Sequence, residues 1–224
     1  PDQMTFGLMN ASSENLLLPL SHDEVVHGNR SMLGKMPGDD WQRFANLRLL
    51  YTYMYTYPGG KLLFMGDELG DPGEWRQQGQ LSWDLQDNPP HAGLKQLVAD
   101  LNRLYRENPA LYRGQFNDDC FEWIDCHDAT QSVLIYLRLD GSDFRVVVLN
   151  FTPVVRRDYR IGVPEAGGYR EIFNSDSRFY GGSDIGNAPL TASEEKPWMG
   201  KAQSISLTLP PLAALVLAPT SATL

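Results

Sequence analysis

The stretch Leu16-Leu17-Leu18-Pro19-Leu20-Ser21-His22-Asp23-Glu24-Val25-Val26-His27-Gly28 is apolar for five residues and then stops at hydroxyl, imidazole and carboxylate side chains. A short apolar run of this kind reads as a strand buried on both faces. The polar cluster then falls at the strand's C-terminal end, which in a βα barrel is the face that carries the active site. Asp23 stands where a carboxylate reaches a bound substrate, with His22 beside it as a donor. The same Ser-His-Asp string also suits a helix cap and loop on any α/β protein. It does not suit a serine triad, because consecutive residues cannot converge as nucleophile, base and orienter.

Downstream, the pattern repeats. Asp39 predicts a helix cap, with Gln42 three residues on to close a capping box. Phe44, Leu47, Tyr51, Met54 and Tyr55 then follow helical spacing. Tyr51, Tyr53, Tyr55 and Tyr57 alternate as a strand would, but the length of the segment and its cap favour helix. Pro58-Gly59-Gly60 breaks it. Lys61–Met65 is a second short strand candidate, ending in Gly66-Asp67-Glu68. Strand, polar end, helix, twice over, is the logic of βα units. A polar loop with Trp75 and Trp83 leads to Asn88-Pro89-Pro90, a helix start. Leu94, Leu97, Val98, Leu101, Leu104 and Tyr105 form its apolar stripe, closed by Pro109.

After Tyr112 the character changes. Phe121–Ile124, Val133–Leu139, Phe144–Phe151, Tyr159–Ile161, Tyr169–Phe173, Ser204–Leu209 and Ala214–Leu217 read as strands between Asp, Gly and Ser turns. Strands at short intervals without helical pattern predict an all-β sandwich. The boundary falls near Gly114, and the lack of a low-complexity linker predicts that the two parts pack firmly. A complete barrel needs eight strands and about 250 residues. The two strand–helix units before the boundary are therefore only its last quarter or so.

A formal net charge of −9 disfavours nucleic acid and anionic membrane surfaces as partners, since both need clustered Lys and Arg. A neutral polymer is compatible with it. No apolar stretch approaches a membrane span, and no signal peptide opens the chain. The start at Pro1 rather than Met reads as a fragment or a processed product. Cys120 and Cys126 on one strand would lie about 20 Å apart, too far for a disulfide. They read as free thiols of a reducing, cytoplasmic compartment, without metal-ligand spacing.

LPLSHDEVVHGNRSML, residues 18–33, resembles the fourth conserved region of the α-amylase superfamily, in the form carried by glycogen (1,4-α-glucan) branching enzymes. The superfamily-wide part is the His-Asp pair; SHDEVVHG is the specific part. Similarity continues through MPGDDWQRFANLRLL, KLLFMGDELG, DSRFYGGSDIGN and LPPLAALVL, and so covers nearly the whole chain. The resemblance implies that residues 1–113 are strands seven and eight of a (β/α)8 TIM barrel with their helices, and residues 114–224 a C-terminal all-β sandwich domain. It implies cleavage of an α-1,4-glucan by a retaining mechanism and transfer of the chain to a 6-hydroxyl, with glycogen or amylose as partner and no metal or organic cofactor.

Asp23 matches the family's transition-state-stabilising carboxylate, and His22 its histidine donor to a sugar hydroxyl. The nucleophile and acid/base belong to upstream motifs not found in these residues. Glu24 is expected on the opposite face of the strand, and His27 as a satisfied loop histidine. Glu68 matches an acidic residue of a Met-Gly-x-Glu-Phe motif, and Glu74-Trp75 the downstream Glu-Trp; Glu68 and Trp75 are candidates for substrate contact or structural support. Leu69 stands in place of Phe and Asp71 where Gln is common, which weakens the reading of this loop as an acceptor site. The alternatives are an amylase-type α-glucan hydrolase and a non-catalytic glycan-binding fragment.

Overall fold

A computed structural model of the chain describes residues 17–114, 116–125 and 132–220. Leu16 and Cys126 lie outside the described residues. The chain opens with β1 (Leu17–Leu20) and a short helix α1 (Met32–Lys35), then a long helix α2 (Asp40–Thr56) leading to β2 (Gly60–Leu63). β1 and β2 pair in parallel, Leu17 opposite Gly60 and Leu20 opposite Leu63. The cap expected at Asp39 is present with both halves of its box: Asp39 Oδ1 accepts from Gln42 N at 2.9 Å and Gln42 Oε1 accepts from Asp39 N at 3.1 Å. Helices α3 (Pro89–Glu107) and α4 (Pro109–Tyr112) complete this part. α3 buries Leu94, Leu97, Leu101 and Leu104, the stripe expected from its spacing.

The remaining strands are β3 (Phe121–Asp125), β4 (Val133–Asp140), β5 (Asp143–Asn150), β6 (Arg156–Val163), β7 (Gly168–Asn174), β8 (Thr191–Ala192), β9 (Gln203–Leu209) and β10 (Ala213–Thr220). Six form an antiparallel sheet in the order β3-β4-β5-β10-β7-β8, and β6 pairs with β9 as a separate antiparallel ribbon. β8 is two residues long, too short to be seen as a strand in the sequence. Cys120 is buried and free, and it sits in a 3-10 turn before β3 rather than on the strand.

The central strands alternate between two apolar environments. Val133, Ile135 and Leu137 of β4, Val146 and Val148 of β5, and Leu215 and Leu217 of β10 pack toward the β6–β9 ribbon. Leu134, Tyr136, Val147, Leu149, Ala214 and Val216, on the other face, share one core with α2 and α3. Polar groups reinforce this second face. Arg138 on β4 donates to the carbonyls of Thr56, at 2.7 Å, and Cys120. Arg48 on α2 donates to Ser175 O at 3.0 Å and Tyr180 O at 3.3 Å. Gly93 lets α3 approach the 3-10 turn Arg178–Tyr180, because a Cβ there would lie 2.6 Å from Tyr180 O. The two parts therefore pack firmly, as the missing linker predicts.

β1 reads as a strand buried on both faces; among the described residues Leu17 is 52% exposed and Pro19 is exposed. Only Leu18 and Leu20 face the core. The cause is pairing: among the described residues β1 has β2 as its sole neighbour and no layer covers its other face. The strands that are covered on both faces are β4, β5 and β10.

Candidate functional site

β1 ends at Leu20, and His22–Glu24 follow as a 3-10 turn capped by Ser21, whose Oγ accepts from Asp23 N at 3.4 Å. Asp23 thus sits just past the C-terminal end of a parallel strand, as expected. His22 Nε2 lies 3.1 Å from Asp23 Oδ1, and both side chains are more than half exposed. Asn29 Nδ2 donates to Asp23 O at 2.7 Å and closes the loop behind them. Because the segment is a turn, the strand argument that put Glu24 on the opposite face does not apply. Glu24 instead reaches Lys35 Nζ at 2.8 Å on α1.

The second loop holds this turn in place. His22 packs against the rings of Phe64 and Trp75, at centroid distances of 6.0 and 6.2 Å, and these two rings meet edge-on at 5.4 Å. Trp75 N donates to Val25 O at 2.8 Å. Glu74 is the clamp. Its Oε1 accepts from the backbone N–H groups of Gly28 and Arg30, both at 3.0 Å, and its Oε2 pairs with His27 Nδ1 at 3.1 Å. The N–H of Arg30 is the main cause that holds the Glu74 carboxyl below its usual value, with Gly28 and His27 adding to it. His27 is therefore a bonded loop histidine.

Glu68 is not at the end of the second strand. β2 stops at Leu63, and Asp67–Leu69 form a 3-10 turn whose left-handed entry at φ 91° is Gly66. Lys61 and Leu62 continue the parallel ladder, Phe64 N makes its last bond to Leu20 O at 2.9 Å, and Met65 lies beyond it. Glu68 Oε2 accepts from Gly66 N at 3.1 Å, a local support. Trp75 does contact a candidate residue, through its ring against His22. The sequence reading undervalued Glu74 and missed Phe64. The signal available was the adjacency of Glu74 to Trp75, but a carboxylate serving backbone N–H groups some 45 residues away leaves no local pattern.

Beside the turn lies a cavity of about 540 Å³, lined among others by Phe64, Asp67, Asp71, Trp75 and Gln77. His22 and Asp23 do not line it, but Phe64 and Trp75 are shared between them and it. Among the described residues no group of three His, Cys, Asp or Glu side chains could hold a metal ion. No helix there is long and apolar enough to cross a membrane.

Comparison with known proteins fits this geometry. Residues 123–220 match the family described as "Alpha amylase, C-terminal all-beta domain". The chain is 60% identical to the 1,4-alpha-glucan branching enzyme GlgB of Cellvibrio japonicus over 96% of its own length and 29% of that protein. It is 56% identical to the enzyme of the same name from Marinobacter nauticus, over 97% of itself and 35% of that protein. The chain thus spans about a third of the length of these curated relatives. Among solved structures, a debranching enzyme from Nostoc punctiforme superposes with a TM-score of 0.61 at 16% identity, covering 90% of this chain and 35% of that one. The α-amylase of Geobacillus thermoleovorans does so with 0.59 at 17% identity, covering 92% and 39%. These two likenesses are of fold.

Proposed function

We propose that this chain, which carries the C-terminal all-β domain of the α-amylase superfamily and matches branching enzymes at 53–60% identity over nearly its whole length, is the C-terminal portion of a 1,4-α-glucan branching enzyme. On this reading residues 1–113 are the last two strand–helix units of the catalytic (β/α)8 barrel, and residues 114–224 are the β-sandwich domain. The parallel pairing of β1 and β2 across α2 supports the first part. Sequence outside these residues supplies the other six strands, the nucleophile and the acid/base. The substrate is an α-1,4-glucan such as glycogen or amylose, the setting is cytoplasmic, and no metal or organic cofactor takes part.

The observation that carries this reading is the position of Asp23 just beyond the end of β1, with its neighbour His22 braced by Phe64 and Trp75. In retaining chemistry one carboxylate attacks the anomeric carbon, a carboxylic acid protonates the leaving oxygen, and the state between resembles an oxocarbenium ion. Asp23 serves as a third carboxylate. It accepts hydrogen bonds from hydroxyls of the sugar at the cleavage point, and its fixed negative charge stabilises the positive charge that develops there. His22 donates to a hydroxyl of the same sugar. A 6-hydroxyl of an acceptor glucan then takes the glycosyl group in place of water.

The test is Asp23→Asn in the full-length protein carrying this chain. Formation of α-1,6 branches on amylose should fall by roughly 10²–10³, with thermal unfolding unchanged. Near-normal branching by that variant overturns the assignment of Asp23. Release of reducing ends by the unmodified protein without new α-1,6 linkages replaces a branching enzyme by a hydrolase.

A further inference from the structure

The 3-10 turn Asp67–Leu69 stands between the two rings that brace His22. Phe64 precedes it and Trp75 follows it, and both pack against the His22 imidazole. Where the turn sits therefore decides where the rings stand. Its internal bonds, Leu69 N to Gly66 O at 2.9 Å and Gly70 N to Asp67 O at 3.1 Å, shape it without tying it to anything else.

Two helices supply the ties. Tyr51 OH on α2 donates to Asp67 O at 2.8 Å. His91 on α3 meets Leu69 O through Nδ1 at 2.7 Å. A carbonyl oxygen only accepts, so Nδ1 carries the proton. Phe44 of α2 steadies the imidazole, ring against ring edge-on at a centroid distance of 4.9 Å. Gly70 closes the turn at φ 63°, and a Cβ there would lie 2.7 Å from Leu94 Cδ2, so the chain comes down directly onto α3. Residues of this chain already enclose both ties: Tyr51, Leu69 and His91 are 0%, 1% and 7% exposed. Bonds closed and buried in this way hold whatever lies against the open face of β1 and β2. Beyond Gly70 the loop runs on to Glu74, which holds the N–H groups of Gly28 and Arg30, and to Trp75, whose N–H holds Val25 O.

We propose that His91 and Tyr51 are positioning residues for the His22–Asp23 turn. Their donors fix the carbonyls of Leu69 and Asp67, the turn between them fixes Phe64 and Trp75, and those rings fix His22. Neither residue touches substrate. The proposal rests on the α-glucan reading above and adds two residues to it. Removing either donor leaves a buried carbonyl unpaired, and the turn shifts to find another partner. A misplacement of about 1 Å caused far from the chemistry can cost about 10²-fold in rate.

The experiment uses the full-length protein carrying this chain, with His91→Leu, His91→Asn, Tyr51→Phe, His22→Ala and the double variant Tyr51→Phe/His22→Ala. It measures kcat and KM on amylose, new α-1,6 linkages, reducing ends and thermal unfolding. In His91→Leu, kcat should fall roughly ten- to a hundredfold, with KM little changed. His91→Asn should recover most of the loss, because its Nδ2 stands about where the imidazole Nδ1 does. Tyr51→Phe, which removes one hydroxyl, should lower kcat in the same sense by less. On a His22→Ala background it should lower kcat no further, since the two act along one route. Unchanged kcat with a lower unfolding midpoint overturns the proposal, as do equal losses in His91→Leu and His91→Asn. A fully additive loss in the double variant also overturns it. If His91→Leu does not fold, normal kcat in Tyr51→Phe overturns it alone. If the unmodified protein neither branches nor cleaves amylose, the positioning role and the α-glucan reading fall together. If it only hydrolyses, the branching reaction falls and kcat for hydrolysis decides the positioning role.

Discussion

The parallel pair β1–β2 and the antiparallel strands β4, β5 and β10 are written in similar residues and sit in opposite circumstances. Both are apolar runs, rich in Leu in the parallel pair and in Leu and Val in the antiparallel strands. In the central strands of the antiparallel sheet the apolar residues find cover, alternately from the β6–β9 ribbon and from α2 and α3, so that Val146, Val147 and Leu149 are all fully buried. In the parallel pair Leu17, Leu62 and nearby Met65 are exposed. An apolar run records that burial is expected on both faces, not which layers provide it. The two regions also differ in role: the antiparallel sheet packs on α2 and α3, and the parallel pair presents the turn that bears Asp23.

The comparison can be broken most severely by cutting the chain at Gly114. Residues 115–224 alone would bare Leu134, Tyr136, Val147, Leu149, Ala214 and Val216, and leave Arg138 without the Thr56 carbonyl. The piece should bind a hydrophobic dye and lose sharp near-ultraviolet dichroism; a cooperative unfolding transition like that of the whole chain would show that α2 and α3 are dispensable. Next in size is Leu149→Ala in the covered sheet, which should cost roughly 2–5 kcal/mol in denaturant unfolding.

A third effect depends on pH. Burial, the leading cause, pushes the Asp67 carboxyl up from 3.8 to about 7. The folded protein thus keeps a proton that the unfolded chain releases near pH 4. The associated stability is fully present below about pH 4 and is lost as pH rises through about 7, a change of at most about 4 kcal/mol. Unfolding followed from pH 4 to pH 8 should show this decline, and Asp67→Asn should lack it. Asp39→Ala, which removes the α2 cap but touches neither sheet, should cost about 1 kcal/mol. Smallest, in this chain alone, is Leu17→Ala on the uncovered face of β1, within about 0.5 kcal/mol. An equal loss at Leu17 and Leu149 would erase the distinction between the two regions.

Much of the local structure was legible. Asp39 and Gln42 announced a helix start because a capping box is closed within four residues. The stripe from Leu94 to Leu104 announced a helix because 3.6-residue spacing is a one-dimensional record of one buried face. The place of His22 and Asp23 after a strand was legible from the abrupt change of polarity at Ser21. Less legible was everything set by a partner distant in the chain. Glu68 seemed to end a strand because Phe64 and Met65 are as apolar as the strand before them, yet the ladder stops where β1 runs out of partners. Arg48 and Arg138 carry no sequence signal of burial, and both are buried because carbonyls from the other part of the chain meet their guanidinium groups.

By itself, then, the sequence determined the helices, most of the strands, the change from βα units to antiparallel strands, and the identity of the polar residues that follow β1. These depend on patterns within about twenty residues, where spacing and capping act through the backbone alone. Tertiary structure decided which apolar runs are covered on both faces, that Glu74 pins the loop behind Asp23, and that Asp67 is buried beside a cavity with no partner for its Oδ2 among the described residues. Those outcomes depend on which layers meet, and burial and hydrogen bonding between segments 40 or more residues apart arise only when the chain has closed on itself.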